Sequence, residues 1–313
     1  MKLVLFNEGR PGVVTERGIV DVSKCVLPFG GHDGMCSIIE RYAQLEPELS
    51  ALAAEGAALR PESVILKAPL PRARVLAMGG NYRENGLRDA APMWGFLKST
   101  DSILGSGGTV VLPDVDANIF HHEAELVVVF GKSGGNIPEQ QAMDYVFGFT
   151  CGVDVSARMP PPPGGGSGID RTRMPVSGHK SYNGFTPLGP CITTRVDIGD
   201  PEQLDVKLWV SGELRPNYNT SDLAHSIAES IAWATSMTPV RPGDVLFMGT
   251  NHQGLGALQD GDHVDMEISN IGRLSFEVTD PLKRRWPRGV DEATASDVRN
   301  NSGAPGSKAR PLA

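Results

Sequence analysis

Cysteine is scarce and scattered in this chain. Cys25, Cys36, Cys151 and Cys191 are the four present, and no two form a C-x-x-C pair. That spacing offers no zinc site and no disulfide framework, and it suits a reducing cytoplasm. Long basic runs are also missing, and the net charge is −8, so a nucleic-acid partner is not expected. No apolar run has membrane-spanning length and no signal-peptide pattern opens the sequence, so a cytoplasmic protein with no membrane association is expected. What remains is 40% hydrophobic and 21% charged over 313 residues. That composition belongs to a globular protein with one large domain, alone or with a small appendage.

Helical periodicity is sparse. It appears over Ser37 to Glu55, with Ile38, Ile39, Tyr42, Leu45, Leu49 and Leu52 on one side, and over DLAHSIAESIAWATSM, where Asp222 reads as the N-cap and Leu223, Ile227, Ile231 and Ala234 form the stripe. Strand patterns dominate elsewhere: TVVLP, ELVVVFG, VFGFTCGVDVS, CITTR, DVKLWVSG, DVLFMGT, HVDMEIS and RLSFEV, separated by Gly, Pro and Asp turns. Many strands with few helices predict an α+β, β-rich roll or barrel-like body rather than alternating βαβ units. The expected divisions are a small N-terminal β-rich module over 1–70, a main domain over 71–283, and a disordered tail over 284–313, poor in large apolar residues. MPPPPGGGSGIDRTRMP, starting five residues after Asp154, reads as a surface loop or a lid.

Three carboxylates carry the chemistry: Glu123 and Glu125 in HHEAELVVVFGK, and Asp154 in GFTCGVDVSAR. On a strand Glu123 and Glu125 share a face, which continues as apolar Val127 and Val129. Two carboxylates at the mouth of an apolar face repel each other and lose hydration. A divalent cation relieves both costs, and a third carboxylate nearby completes an oxygen site for Mg²⁺. The alternative is a solvated strand edge with scattered acids, and E-x-E spacing alone does not choose between them. Cys151 sits three residues before Asp154; a buried structural thiol and a neighbour of the site are its two readings.

HHEAELVVVFGK, GVDVSAR, GHKSYNGFTPLGP, PGDVLFMGT and LQDGDHVDMEISNIGRLSFEV occur in the order found in the fumarylacetoacetate hydrolase family. GGNYREN and FLKSTDSILGSGGTVVLP also resemble its segments, so the resemblance runs from about Arg74 to Val278. It implies a mixed β-sandwich roll, often behind a small N-terminal β-rich module, and a homodimer. It places Glu123, Glu125 and Asp154 on the family's metal carboxylates, which hold Mg²⁺, Mn²⁺ or Ca²⁺. Lys180 falls on the active-site lysine, Arg158 on the arginine of D-x-S-A-R, Lys98 on the lysine of F-x-K-S, and Thr250 on the threonine of a G-T loop that meets the substrate. Tyr82 and Asn85, in the N-Y-x-x-H segment, join the implied substrate contacts.

The resemblance breaks at the general base. The family often reads N-Y-x-x-H; this chain reads Asn81-Tyr82-Arg83-Glu84-Asn85, and Arg88 stands where one branch carries a glutamate. Asn85 has no titrating proton. A one-residue shift offers Glu84 or Asp89. Among the histidines, His252 in GTNHQGLG is the best substitute, because that loop approaches the substrate in relatives. His122 faces away from Glu123 on a regular strand, His179 could orient Lys180, and His225 reads as a surface residue. Met159-Pro160-Pro161 stands where a family glutamine often follows the arginine.

The catalytic set expected is therefore Lys180, His252 and Glu84. The implied substrate is a small β-diketo, acylpyruvate, 2-oxo or cyclic dicarbonyl acid, which can chelate a metal through two oxygens. Hydrolytic C–C cleavage in aromatic catabolism is the first reading. A decarboxylase, tautomerase or dehydratase without an attacking water is the second, and a ligand-binding member without turnover is the third.

Overall fold

The computed structural model describes residues 1–26, 34–160, 172–300 and 311. Three sheets account for its strands. The largest has twelve, and its main path runs Ala58–Leu59, Gly18–Asp21, Arg10–Thr15, Lys2–Phe6, Thr186–Thr194, Val146–Val153, Ala124–Phe130, Val245–Phe247, Val75–Met78 and Gly95–Lys98. A second sheet orders Glu213–Asn219, Asp205–Val210, His263–Ile268, Gly272–Thr279 and Thr109–Val111, and a short ribbon pairs Ile119–His121 with Ser156–Arg158. This is the β-rich α+β architecture that the strand count called for.

Burial explains why the central strands read as nearly continuous apolar runs. Ala124–Phe130 and Val146–Val153 are buried at every position, the pattern of strands covered on both faces. One face of Ala124–Phe130 sends Leu126, Val128 and Phe130 into the core shared with Val206, Leu208, Met266 and Phe276 of the five-stranded sheet. The other sends Val127 and Val129 into a second core with Ile38, Ile39, Leu45 and Leu49 of the helix Gly34–Glu55. Glu125 heads that second face by alternation, so a carboxylate terminates an apolar stripe.

Three expectations change. The N-terminal residues are not confined to a sheet of their own: Lys2–Phe6 pairs antiparallel with Thr186–Thr194, Lys2 opposite Thr193. Leu3 and Leu5 enter one core and Val4 and Phe6 the other, so this strand has two apolar faces and belongs inside a sheet. The second helix starts later than its apolar stripe suggested. It spans Ile227–Met237, with Ser226 as N-cap in a capping box with Glu229, while Asp222 closes a preceding turn.

The tail is the third, over its described part; 301–310 and 312–313 lie outside the described residues. Residues 284–300 are ordered around a single large aromatic. Trp286 is 2% exposed, donates its indole N–H to the Asn118 carbonyl at 2.7 Å, and meets Phe120 edge-on at 5.9 Å. The helix Glu292–Arg299 follows, burying Ala295 and Val298. Low apolar content hid this because one tryptophan and two small contacts do the packing. Trp286→Ala should lower unfolding free energy by about 3–5 kcal/mol, read as a fall in the urea midpoint. An unchanged midpoint would show that the segment adds nothing to stability. The proposed lid lies mostly outside the described residues.

Candidate active site

Four neighbouring strands meet at one end of the large sheet. Ala124 pairs with Val153, Val127 with Phe247, and Phe247 with Ala77. The chain therefore leaves Val146–Val153, Val245–Phe247 and Val75–Met78, and enters Ala124–Phe130, at the same place. Asp154, His252, Glu84 and Glu125 all lie on those exits and entries, and this is why segments distant in sequence share one site.

Glu123, Glu125 and Asp154 each offer a carboxylate oxygen, all within 4.8 Å of one another, and all three residues are buried. The triad keeps the expected strand alternation. Glu123 lies one residue before Ala124–Phe130, but the antiparallel register runs on through it: His121 faces Ser156 and Ala124 faces Val153. The Glu123 carbonyl accepts from the Asp154 N–H at 2.8 Å, which fixes the two residues side by side. Glu125 accepts from the Gly249 N–H at 2.5 Å. Burial, then the Asp154 and Glu123 charges, push the Glu125 carboxyl well above the usual range. Three buried hard-oxygen donors within reach of one another fit a divalent cation, which would neutralise their repulsion.

Cations close the other side. Lys180, at the end of a tight turn Gly178–Lys180, donates to Asp154 Oδ2 and Ser156 Oγ, each at 2.6 Å, and also to Glu123. Arg158 also bonds Glu123. Burial opposes the ionisation of Glu123, but Lys180 and Arg158 prevail and hold it well below the usual carboxylate range. Burial disfavours the Lys180 ammonium, yet Asp154 and Glu123 outweigh it and raise its pKa. Lys180 is therefore a fixed positive charge, not a proton acceptor.

Glu84 and His252 form a pair. His252 Nδ1 lies 2.6 Å from Glu84 Oε1, and the His252 backbone N–H donates to Glu84 Oε2 at 2.8 Å. A carboxylate only accepts, so Nδ1 is the donor to Glu84, and the neutral imidazole in this tautomer presents the Nε2 lone pair. Nε2 points to the triad, 4.0 Å from Glu123 Oε1. The turn that aims Glu84 is held by force. Glu84 and Asn85 have φ of 56° and 60°, a left-handed conformation that costs roughly 1 kcal/mol or more per non-glycine residue. Asp222 accepts from the N–H groups of Asn85 and Gly86 at 2.7 and 3.0 Å, and the Gln253 amide donates to the Glu84 carbonyl at 2.7 Å.

Other expected residues stand back from the opening. Asn85 is exposed and turns away, serving the bend. Lys98 has a side chain with no exposed surface and is engaged with Asp154 at 2.5 Å and the Phe185 carbonyl at 2.7 Å. It holds Asp154 of the triad from behind, where the resemblance suggested substrate contact. Tyr82, 3% exposed, packs edge-on against Tyr218 at 4.8 Å, and Thr250 is buried beneath the His252 loop. The side chains that keep surface here are Lys180, Arg158 and His252, 13%, 17% and 10% exposed. His122 is fully buried, and neither ring nitrogen has a partner among the described residues, so it serves no part of the triad. Burial raises the Cys151 thiol well above its usual range, as a structural thiol requires.

Sequence reasoning missed His121, Ser156, Asp222 and Asp291. Ser156 stood inside the D-x-S-A-R motif and Asp222 beside a helix start. His121 was hidden by its neighbour His122, and Asp291 by the tail's composition.

A family model described as fumarylacetoacetate (FAA) hydrolase C-terminal matches residues 74–279. The chain belongs to the fumarylacetoacetate hydrolase family. It is 30% identical over 302 residues to maleylpyruvate hydrolase of Aquipseudomonas alcaligenes, covering 89% of this chain and 99% of that one. It is 33% identical over 251 residues to the mitochondrial oxaloacetate tautomerase of Xenopus laevis, covering 75% and 74%. The solved maleylpyruvate hydrolase of Sphingobium sp. SYK-6, in complex with manganese(II) ion and pyruvate, is similar in fold with a TM-score of 0.78. It shares 31% identity, over 90% of this chain and 99% of that one. The fumarylacetoacetate hydrolase fold, a site suited to a divalent metal and an enzyme's side-chain set thus coincide in one chain.

Proposed function

We propose that this protein is a metal-dependent hydrolase that cleaves a C–C bond in a β-diketo, acylpyruvate or cyclic dicarbonyl acid during aromatic catabolism. The observation that carries the reading is the Glu84–His252 pair aimed at the carboxylate triad. It supplies the base that the family position, here Asn85, lacks. The metal is Mg²⁺, with Mn²⁺ or Ca²⁺ as substitutes, held by Glu123, Glu125 and Asp154. When bound it supplies Lewis acidity to the chelated oxygens of the substrate.

The chain's own groups do the rest. Arg158 binds the substrate carboxylate. His252 Nε2 takes a proton from water attacking the distal carbonyl, and Glu84 stabilises the imidazolium that forms. Lys180, already fixed by Asp154 and Ser156, sets its positive charge beside the developing oxyanion, so its charge needs no repositioning as the oxyanion forms. The C–C bond then breaks, and the enolate leaving group is protonated by the imidazolium.

The resemblance to an oxaloacetate tautomerase favours a second reading, in which the same pair moves a proton on a 2-oxo acid without attacking water, as tautomerase, decarboxylase or dehydratase. To separate them, the protein with Mg²⁺ is incubated with acylpyruvates, oxaloacetate and cyclic diketones in H₂¹⁸O. ¹⁸O in a new product carboxylate is expected. Isomerised or decarboxylated product without it selects the second reading, and ligand binding with no turnover refutes both. A homodimer working in the cytoplasm is part of the same proposal, and light scattering at the mass of one chain would overturn the dimer.

A further inference from the structure

A chain of polar contacts leads from the substrate-facing arginine to the C-terminal helix. The Arg158 Nε–H donates to His121 Nδ1 at 3.1 Å, and His121 Nε2 meets Asp291 Oδ2 at 3.1 Å. An arginine Nε–H can only donate, so Nδ1 must hold a lone pair. The imidazole proton then sits on Nε2 and is given to Asp291. Asp291 is also the N-cap of Glu292–Arg299, accepting from the Thr294 N–H at 3.3 Å and from its hydroxyl at 2.8 Å.

The same segment touches the base pair from two directions. The Asp291 N–H donates to the Leu255 carbonyl at 2.7 Å, and the Leu255 N–H donates to the His252 carbonyl at 3.3 Å. One residue further on, a Cβ on Gly256 would lie 2.3 Å from the Gly289 carbonyl oxygen, so the backbone at Gly289 is pressed against the His252 loop. At its far end, the helix carbonyls of Asp297 and Val298 accept from Arg88, each at 3.4 Å, and Arg88 lies in the turn that carries Glu84. These contacts lie beyond residue 279, where the family match stops.

We propose that Asp291 is a positioning residue of the active site, fixing the Arg158 guanidinium through His121 and the His252 loop through Leu255. The inference rests on the roles given to Arg158 and His252 under Proposed function. In this arrangement Asp291 touches no substrate. It decides which way Arg158 Nε points, and hence where its remaining N–H groups meet a carboxylate.

The test uses the full-length, Mg²⁺-loaded protein with Asp291→Ala and Asp291→Asn. The Arg158 Nε–H resonance is followed by ¹H–¹⁵N TROSY and assigned by its loss in Arg158→Lys; KM and kcat are measured on a substrate that the wild type turns over. Asp291→Ala should abolish the ordered Arg158 signal and raise KM about tenfold, with a smaller fall in kcat. Asparagine retains the cap but is a weaker acceptor for His121, so Asp291→Asn should keep the signal at a changed shift and raise KM about two- to threefold, below the loss from removing the partner. If alanine prevents folding, the asparagine variant decides. An Arg158 signal and a KM identical to wild type in a folded variant overturn the proposal, even if that variant melts earlier. A wild type that turns over none of the panel refutes the proposed function, and the resonance alone then decides Asp291.

Discussion

Glu125→Gln is expected to abolish Mg²⁺ uptake in equilibrium dialysis and to lower kcat/KM by about 10³-fold. Several kcal/mol of Lewis-acid stabilisation are at stake, and about 1.4 kcal/mol is tenfold in rate. The substitution is nearly isosteric, and the amide can still accept the Gly249 N–H that Glu125 now accepts, so folding should survive. A pH signature accompanies it. Without a cation, burial and the charges of Asp154 and Glu123 keep the Glu125 proton on at pH values where an unfolded glutamate has lost it. The native state then binds more protons than the unfolded state, so this residue's contribution is present at low pH and lost as pH rises through the raised pKa. Metal binding must displace the same proton, so the Mg²⁺-induced rise in Tm should grow with pH across that window in the wild type. In Glu125→Gln the rise should be absent at every pH. Wild-type metal content and activity in this variant would remove the site as drawn.

His252→Ala should cost about 10²–10⁴ in kcat, the usual contribution of a positioned general base. Metal content should not change, because His252 Nε2 stands 4.0 Å from Glu123 and supplies no ligand to the carboxylate set. Glu84→Gln should bring a loss of similar order for a different reason. A glutamine amide can donate to Nδ1, which moves the imidazole proton to Nε2 and leaves no lone pair facing the site. Steady-state rates on the substrate identified by the isotope experiment read both variants. Full activity in His252→Ala would take the pair out of the mechanism, and a silent Glu84→Gln would leave Glu84 only the structural role of holding its turn.

The carboxylate triad was legible because its residues sit within short, ordered motifs, HHEAELVVVFGK and GVDVSAR. Glu123 and Glu125 share a face because the antiparallel register continues through Glu123 into Ile119–His121. They meet Asp154 because a backbone hydrogen bond crosses from Asp154 to Glu123. The proposed base was legible only as two separate options. Glu84 and His252 are 168 residues apart, and nothing local says that one left-handed turn will deliver a carboxylate to an imidazole on another loop. At Lys98 the resemblance suggested substrate contact, and the structure places its buried Nζ against Asp154.

The tail shows where composition misleads. Few large apolar residues remain after 284, yet Trp286 anchors the segment and Asp291 brings a carboxylate to His121. Hydropathy averages over a window, whereas order there depends on one indole finding a pocket.

By itself the sequence determined the chemistry on offer: hard oxygen ligands, a lysine and an arginine of opposite sign to them, no zinc set, and strands in both-faces-buried runs that must pack as sheets. Those properties follow from residue type and short-range period. Only the tertiary structure decided which groups share the site, because Glu84, His252, Arg158 and Asp291 are brought together by strand register and loop closure across the whole chain.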